Sequence, residues 1–281
     1  MTIGSGAVQA LRRVLPRFED AYCRYNHRKF VSPDPLETLY PFSRVEDREI
    51  VAFLVSCIAY GRVAMILRNA SRLLDILGEE PAEFLRSASS AAFEESTASF
   101  RHRFTTGREI GALILGMRKV LREYGSLESL LSSSMEKEKT TLGALSGFVE
   151  VLRDRSAIGG KFLLPSPRDG SACKRLFLFL KWMVRDDGVD PGGWTILKAR
   201  DLLIPMDVHM FRMCASLGLT GRRQADLRTA VEVTDVFRTV LPDDPVKYDF
   251  VLTRFGIRRE MSEKEFLELC LEGECHEDRK A

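Results

Sequence analysis

The chain has 281 residues, 45% of them apolar and 29% charged, which suffices to bury the core of one large globular domain or of two packed lobes. A net charge of +2 neither demands nor excludes nucleic acid, because the local distribution of charge decides that question. No apolar run reaches the roughly eighteen residues of a membrane span, and residues 1–10 lack a basic segment followed by an apolar core, so a cytoplasmic protein without a membrane partner is expected.

Apolar residues recur at three-to-four spacing almost throughout, and alternating β-branched runs bounded by hairpin turns are missing, so the fold is expected to be all-α. In chain order the spacing predicts helices over 7–25, 46–77, 108–124, 141–153, 172–186, 207–217, 222–240, 245–255 and 262–270. The Ser-rich stretches 87–99 and 126–134 read as connections between helices. Leu163-Leu164-Pro165-Ser166-Pro167-Arg168-Asp169-Gly170-Ser171 reads as a sharp loop, because two prolines and a glycine interrupt it. The helix after it, Lys174 to Arg185, is apolar nearly all round and is expected to be enclosed by others. Its Lys174, Lys181 and Arg185 fall in one stripe, which should then face a cleft or the surface. Further on, Asp244-Pro245 suits a cap and first helical turn, and Gly218 and Gly256 stand where helices would end in a left-handed residue.

Six cysteines, at 23, 57, 173, 214, 270 and 275, form no CxxC pair and read as buried reduced thiols. Beside Cys270 and Cys275 only His276 could join a metal site, so neither a metal nor another cofactor is expected. From Arg153 to Arg212 there are eleven Lys/Arg against seven Asp/Glu, whereas from Arg259 onward there are four against eight. The acidic end reads as a solvated tail.

Two groups carry potential chemistry. Asp207 stands where the apolar run Leu203–Met206 meets a new helix, whose N–H groups and dipole should keep it ionised and able to face a cationic transition state. The plainer reading is an N-cap that accepts the N–H of His209 or Met210, stabilising the helix by about 1 kcal/mol. Lys174 opens the core helix, where both the dipole and desolvation favour the free, nucleophilic amine. Its plainer reading is a solvated charge, and Lys181 and Lys198 compete with it for the nucleophile's place.

The run Ile204-Pro205-Met206-Asp207-Val208-His209-Met210-Phe211-Arg212, followed by Leu217-Gly218-Leu219, resembles the "VDTHV-x-R … LGL" signature of the helix-hairpin-helix DNA glycosylase superfamily. That family's catalytic Asp matches Asp207. Its hairpin, written "LPGVGxKTA", is similar in outline to residues 164–174, which puts the lysine of bifunctional members at Lys174. Glu49 to Arg62 is similar to its "LLVALILSAQATD" helix and turn, with Tyr60 in the place of the residue that fills the gap left by an extruded base. The 33 positions between Lys174 and Asp207 look most like the archaeal 8-oxoguanine glycosylase branch, while the full length resembles the bacterial family called domain of unknown function 2400. Three departures stand out: Ser-Pro-Arg-Asp-Gly replaces the Gly-x-Gly that offers N–H groups to a phosphate, no four-cysteine cluster follows, and Tyr60 is not an amide.

The resemblance implies two packed helical lobes, 45–195 with the modified hairpin and core helix, and 1–44 with 196–281 carrying Asp207. It implies a monomeric, nucleoid-associated base-excision enzyme acting on double-stranded DNA with a damaged base, possessing lyase activity or working without Lys174. Extrusion of a base calls for stacking groups, for which Tyr60, Phe177 and Trp182 are candidates with Trp194 beside them. Phosphate contacts would come from Arg168, Gly170, Arg175, Arg212, Arg222 and Arg223. The alternatives are a DNA- or RNA-binding helical module without the chemistry, and a purely structural helical protein.

Overall fold

The computed structural model describes residues 4–158, 160–255, 258 and 262–272, and their regular structure is almost entirely helical. Contacts divide the chain into two compact units, Met1–Phe30 with Lys198–Ala281, and Val31–Leu197. The first unit opens with α1 (Ser5–Tyr25), whose Leu11, Val14, Phe18 and Ala21 are buried at three- and four-residue spacing.

The second unit contains α2 (Val45–Cys57), α3 (Val63–Leu77), α4 (Pro81–Ser87), α5 (Ser90–Thr97), strands β1 (Arg101–His102) and β2 (Thr105–Thr106), α6 (Gly107–Tyr124), α7 (Leu127–Lys137), α8 (Thr141–Ser156) and α9 (Lys174–Val184). Helices α2 and α9 pack together at its centre, and α6, α7 and α8 pack on one another. Phe53 of α2 meets Phe148 and Phe179 edge to face at 5.8 and 5.1 Å, and Phe179 meets Trp194 at 5.0 Å. Each fully buried ring of this kind contributes about 1.5–3 kcal/mol of transfer free energy, so this cluster is a main source of the unit's stability.

Buried charges join the elements of this unit. The Glu49 carboxylate accepts the N–H groups of Leu127 (2.9 Å) and Glu128 (3.4 Å) at the start of α7 and the indole N–H of Trp194 (3.0 Å). Burial outweighs these three donors and pushes its carboxyl up to about 7. Lys181 and Arg185, 2% and 4% exposed, do not face a cleft or the surface as their stripe suggested. They turn inward because two carboxylates meet them: the wholly buried Asp190, with Oδ1 at 3.3 Å from Lys181 Nζ and Oδ2 at 2.6 Å from Arg185 Nη1, and Asp187, with Oδ2 at 3.0 Å from Arg185 Nη2. Lys181 is thereby removed as a rival nucleophile.

Several sequence expectations need correction here. The segment expected as one helix over 46–77 breaks at residues 58–62, where Gly61 takes φ +98. The Ser-rich stretches are not connections, for they contain α5 and α7. Ser89 and Ser126 cap these helices by accepting the N–H groups of Ala92 (3.2 Å) and Ser129 (2.9 Å), and buried Phe93, Leu127, Leu130 and Leu131 anchor them. The β1–β2 hairpin, pairing Arg101 with Thr106 and His102 with Thr105, is too short to show an alternating pattern.

The first unit resumes with α10 (Val208–Ser216), α11 (Leu227–Val240), α12 (Asp249–Arg254) and α13 (Glu263–Leu271), of which the last three pack on α1. Phe18 lies against Phe237, Tyr248 and Phe266 at 5.5–6.2 Å. Asp244-Pro245 opens a turn rather than a helix, and α12 starts only at Asp249. Gly218 does end α10 in the left-handed region, at φ +71. Residues 263–271 of the acidic end form α13, with Phe266 and Cys270 buried, rather than a solvated tail, and Gly256, Cys275 and His276 lie outside the described residues. Among the described residues no cluster of three or more His, Cys, Asp or Glu could hold a metal, and no helix is long and apolar enough to cross a membrane.

Candidate functional site

In the first unit, Ile204, Pro205 and Met206 are buried, and the Ile204 N–H donates to Thr234 Oγ1 of α11 at 3.0 Å. This anchored extended run delivers Asp207 to the start of α10, where its carboxylate accepts the Met210 N–H at 2.9 Å. Met210, Met213 and Cys214 bury the inner face of α10, whereas Val208, beside the carboxylate, is 64% exposed. Asp207 is half-buried and held in direction by the helix it caps, so capping and chemical availability coexist.

In the second unit, Lys174 is the first residue of α9 and is half-buried. The preceding Cys173 takes a left-handed conformation, φ 48, which turns the chain sharply into the helix. Lys174 and Asp207 thus both stand at helix starts, one in each unit. No thiol competes with the lysine among Cys57, Cys173 and Cys214, since burial pushes them up to about 12, 11 and 12 and keeps them protonated.

The hairpin segment differs from a phosphate cradle. Pro167–Asp169 forms one 3-10 turn whose donors are used internally: Ser166 N–H to Asp169 Oδ2, Arg168 N–H to Ser166 Oγ, Asp169 N–H to Ser166 O, and Gly170 N–H to Pro167 O, all at 3.0–3.4 Å. Pro167 has none to give. Gly170, expected among the phosphate contacts, therefore offers no unused N–H in this arrangement.

The arginines expected at phosphates are also largely engaged. Arg168 holds Glu138 at 2.5 Å and Glu150 at 2.6 Å. Arg212 holds Glu263 at 3.0 Å and His209 Nδ1 at 2.9 Å, and Arg222 holds Asp226 at 2.9 Å and Thr229 at 2.8 Å. Arg175 donates to the Cys57 carbonyl at 2.5 Å, at the C-terminus of α2, and to the Phe162 carbonyl. Arg223 is exposed and has no partner among the described residues.

The aromatic candidates separate by burial. Phe177 and Trp182, each 1% exposed, are core residues with no ring face left for a base, and Trp194 is 4% exposed. Tyr60 is half-buried, with its ring between the Arg175 guanidinium (5.2 Å), Phe162 (5.1 Å) and His102 (4.6 Å). Its hydroxyl donates to the His102 carbonyl at 2.7 Å and lies 2.8 Å from Thr105 Oγ1, so Tyr60 braces the β1–β2 hairpin rather than standing free as a wedge. Sequence reasoning passed over Phe104, Phe162, Arg103 and His102, which gather around it. The available signal was the acid-free run Thr97–Arg108 with its Arg-His-Arg-Phe core.

No curated protein and no solved structure matches the chain. A family model described as "Protein of unknown function (DUF2400)" matches residues 34–258, a span that includes α2 to α9, Lys174 and Asp207. The chain belongs to that family.

Proposed function

We propose that the protein is a base-excision DNA glycosylase with lyase activity, acting on duplex DNA that carries a damaged base, with an oxidised purine as the first substrate to test. The observation that carries this reading is Asp207: an anchored apolar run delivers a half-buried carboxylate to the start of α10, and the residues around it resemble the glycosylase signature. Lys174 at the start of α9 adds the nucleophile.

In the proposed reaction, Lys174 Nζ attacks C1′ as the C1′–N bond to the base breaks. Asp207 stabilises the positive charge that develops on the sugar and takes the amine proton, which leaves with the base. Opening of the sugar ring gives an iminium, and β-elimination then expels the 3′ phosphate. Borohydride reduces that iminium to a stable protein–DNA adduct. Wild type should form the adduct on lesion-containing duplex and Lys174→Gln should not, while Asp207→Asn should slow base release about a hundredfold or more. An adduct formed by Lys174→Gln, or none by wild type on any lesion, refutes the mechanism. Base release by Lys174→Gln without an adduct would indicate a glycosylase that uses water and Asp207 alone.

The internally bonded 166–170 turn favours a second reading, a helical DNA- or RNA-binding module without the chemistry. Under it, wild type binds nucleic acid with strong salt dependence, releases no base, and binds equally well as Asp207→Asn.

A further inference from the structure

The β1–β2 hairpin presents an aromatic surface that none of the roles above uses. Phe104 at its tip is 68% exposed and Phe162 is 49% exposed, and their rings meet edge to face at 5.7 Å. A lone exposed phenylalanine needs no explanation, but two in contact and flanked by cations form a distinct chemical surface. The Arg103 guanidinium carbon lies 5.4 Å from the centre of the Phe104 ring, and that of Arg175 lies 5.0 Å from Phe162. Arg101, Arg103 and Arg108 are exposed, the run Thr97–Arg108 contains no acid, and no carboxylate among the described residues pairs with any of the three.

This surface is held in place from beneath. His102 is wholly buried, with Nε2 2.9 Å from the Tyr60 carbonyl and Nδ1 3.0 Å from Asn69 Nδ2. The Tyr60 hydroxyl fixes the other strand through Thr105. Gly61 has φ +98, so glycine serves the turn that precedes α3, and the Arg103 side chain lies over it. An exposed aromatic on a braced two-residue tip loses little conformational entropy when it is used.

We propose that the hairpin is a nucleic-acid contact: Phe104, backed by Phe162, stacks on an unpaired or displaced nucleobase, while Arg101, Arg103 and Arg108 engage the flanking phosphates. The choice of DNA as ligand rests on the glycosylase reading, but the contact itself does not require Lys174 or Asp207. Every base offers a π-face and every nucleotide a phosphate, so aromatic and guanidinium groups alternating along one short segment match that repeat. An anionic lipid surface would also attract the arginines, yet one small ring pair provides little of the apolar area that interfacial insertion needs.

The test compares wild type, Phe104→Ala and an Arg101→Ser/Arg103→Ser double variant on a duplex with a central tetrahydrofuran gap, on the fully paired duplex, and on phosphatidylserine–phosphatidylcholine vesicles. Phe104→Ala should weaken gapped-duplex binding about 5- to 150-fold, the range expected for one lost base–aromatic stack, and leave paired-duplex binding unchanged. The double arginine variant should weaken binding to both duplexes and reduce its salt dependence. Phe104→Trp adds a direct readout: Trp182 and Trp194 are buried, so fluorescence quenched by gapped but not by paired duplex must come from the hairpin. Equal gapped-duplex affinity of wild type and Phe104→Ala, an unquenched Phe104→Trp, or binding to vesicles without binding to DNA overturns the proposal. Borohydride trapping is scored separately. Stacking without any adduct would leave the hairpin contact standing and refute lyase catalysis, and adduct formation with an indifferent Phe104 would do the reverse.

Discussion

Glu49 lends itself to a quantitative test, because two opposing effects meet on one buried carboxyl and the structure indicates which prevails. Three N–H donors and the start of α7 favour the carboxylate, whereas enclosure at 2% exposure disfavours it, and burial wins by raising the carboxyl from an ordinary value near 4.5 to about 7. Folding therefore favours the protonated form. The stabilising contribution is full below pH 4.5, declines as pH rises, and is absent above about 7, a change of about 3 kcal/mol. Glu49→Gln removes the ionisation but keeps the shape, and its amide, facing at least one donor, adds a cost that does not vary with pH. Urea unfolding of both proteins at pH 5 and pH 8 measures the effect. The stability difference should shift toward Glu49→Gln by about 2.5 kcal/mol between the two conditions, other titrations cancelling between the two proteins. A difference independent of pH would refute the reasoning and mean that the donors fully offset the burial.

Two further outcomes follow from buried polar groups. Burial lowers the His102 value below its ordinary 6.5, so its contribution is present above pH 6.5 and is lost as pH falls through the lowered folded value. Amide-exchange protection of residues 101–106 should therefore decline on acidification below pH 6.5, and a flat profile would contradict the buried neutral imidazole. Asp190→Asn removes a buried charge partner of both Lys181 and Arg185, leaves Asp187 beside Arg185, and should cost about 3–5 kcal/mol in chemical denaturation. A loss within about 0.5 kcal/mol, as for an ordinary surface substitution, would mean that this cluster does not hold the second unit together.

Much of the fold was legible because helices are local. Three-to-four spacing identified α1, α6, α8, α9, α10 and α13 nearly to their ends, and Asp207 was readable as a cap because capping involves only residues 207–210. Where context decides, the sequence was ambiguous: serine both caps and breaks helices, so α5 and α7 emerged only when Phe93 and the leucines of α7 found partners. A lysine–arginine stripe reads as surface until Asp187 and Asp190, brought in from beyond α9, pair with it. The candidate site divides along the same line. Lys174 and Asp207 could be singled out from helix starts and a signature, since both depend on neighbours in the chain. That the 166–170 donors are consumed, that four of the expected arginines are already engaged, and that Phe104 and Phe162 form one exposed surface braced by Tyr60 and His102 are properties of residues distant in sequence. By itself the sequence determined an all-α chain and the places of the two candidate groups at helix starts. Tertiary structure decided which polar groups remain available, because burial and pairing depend on where the chain returns.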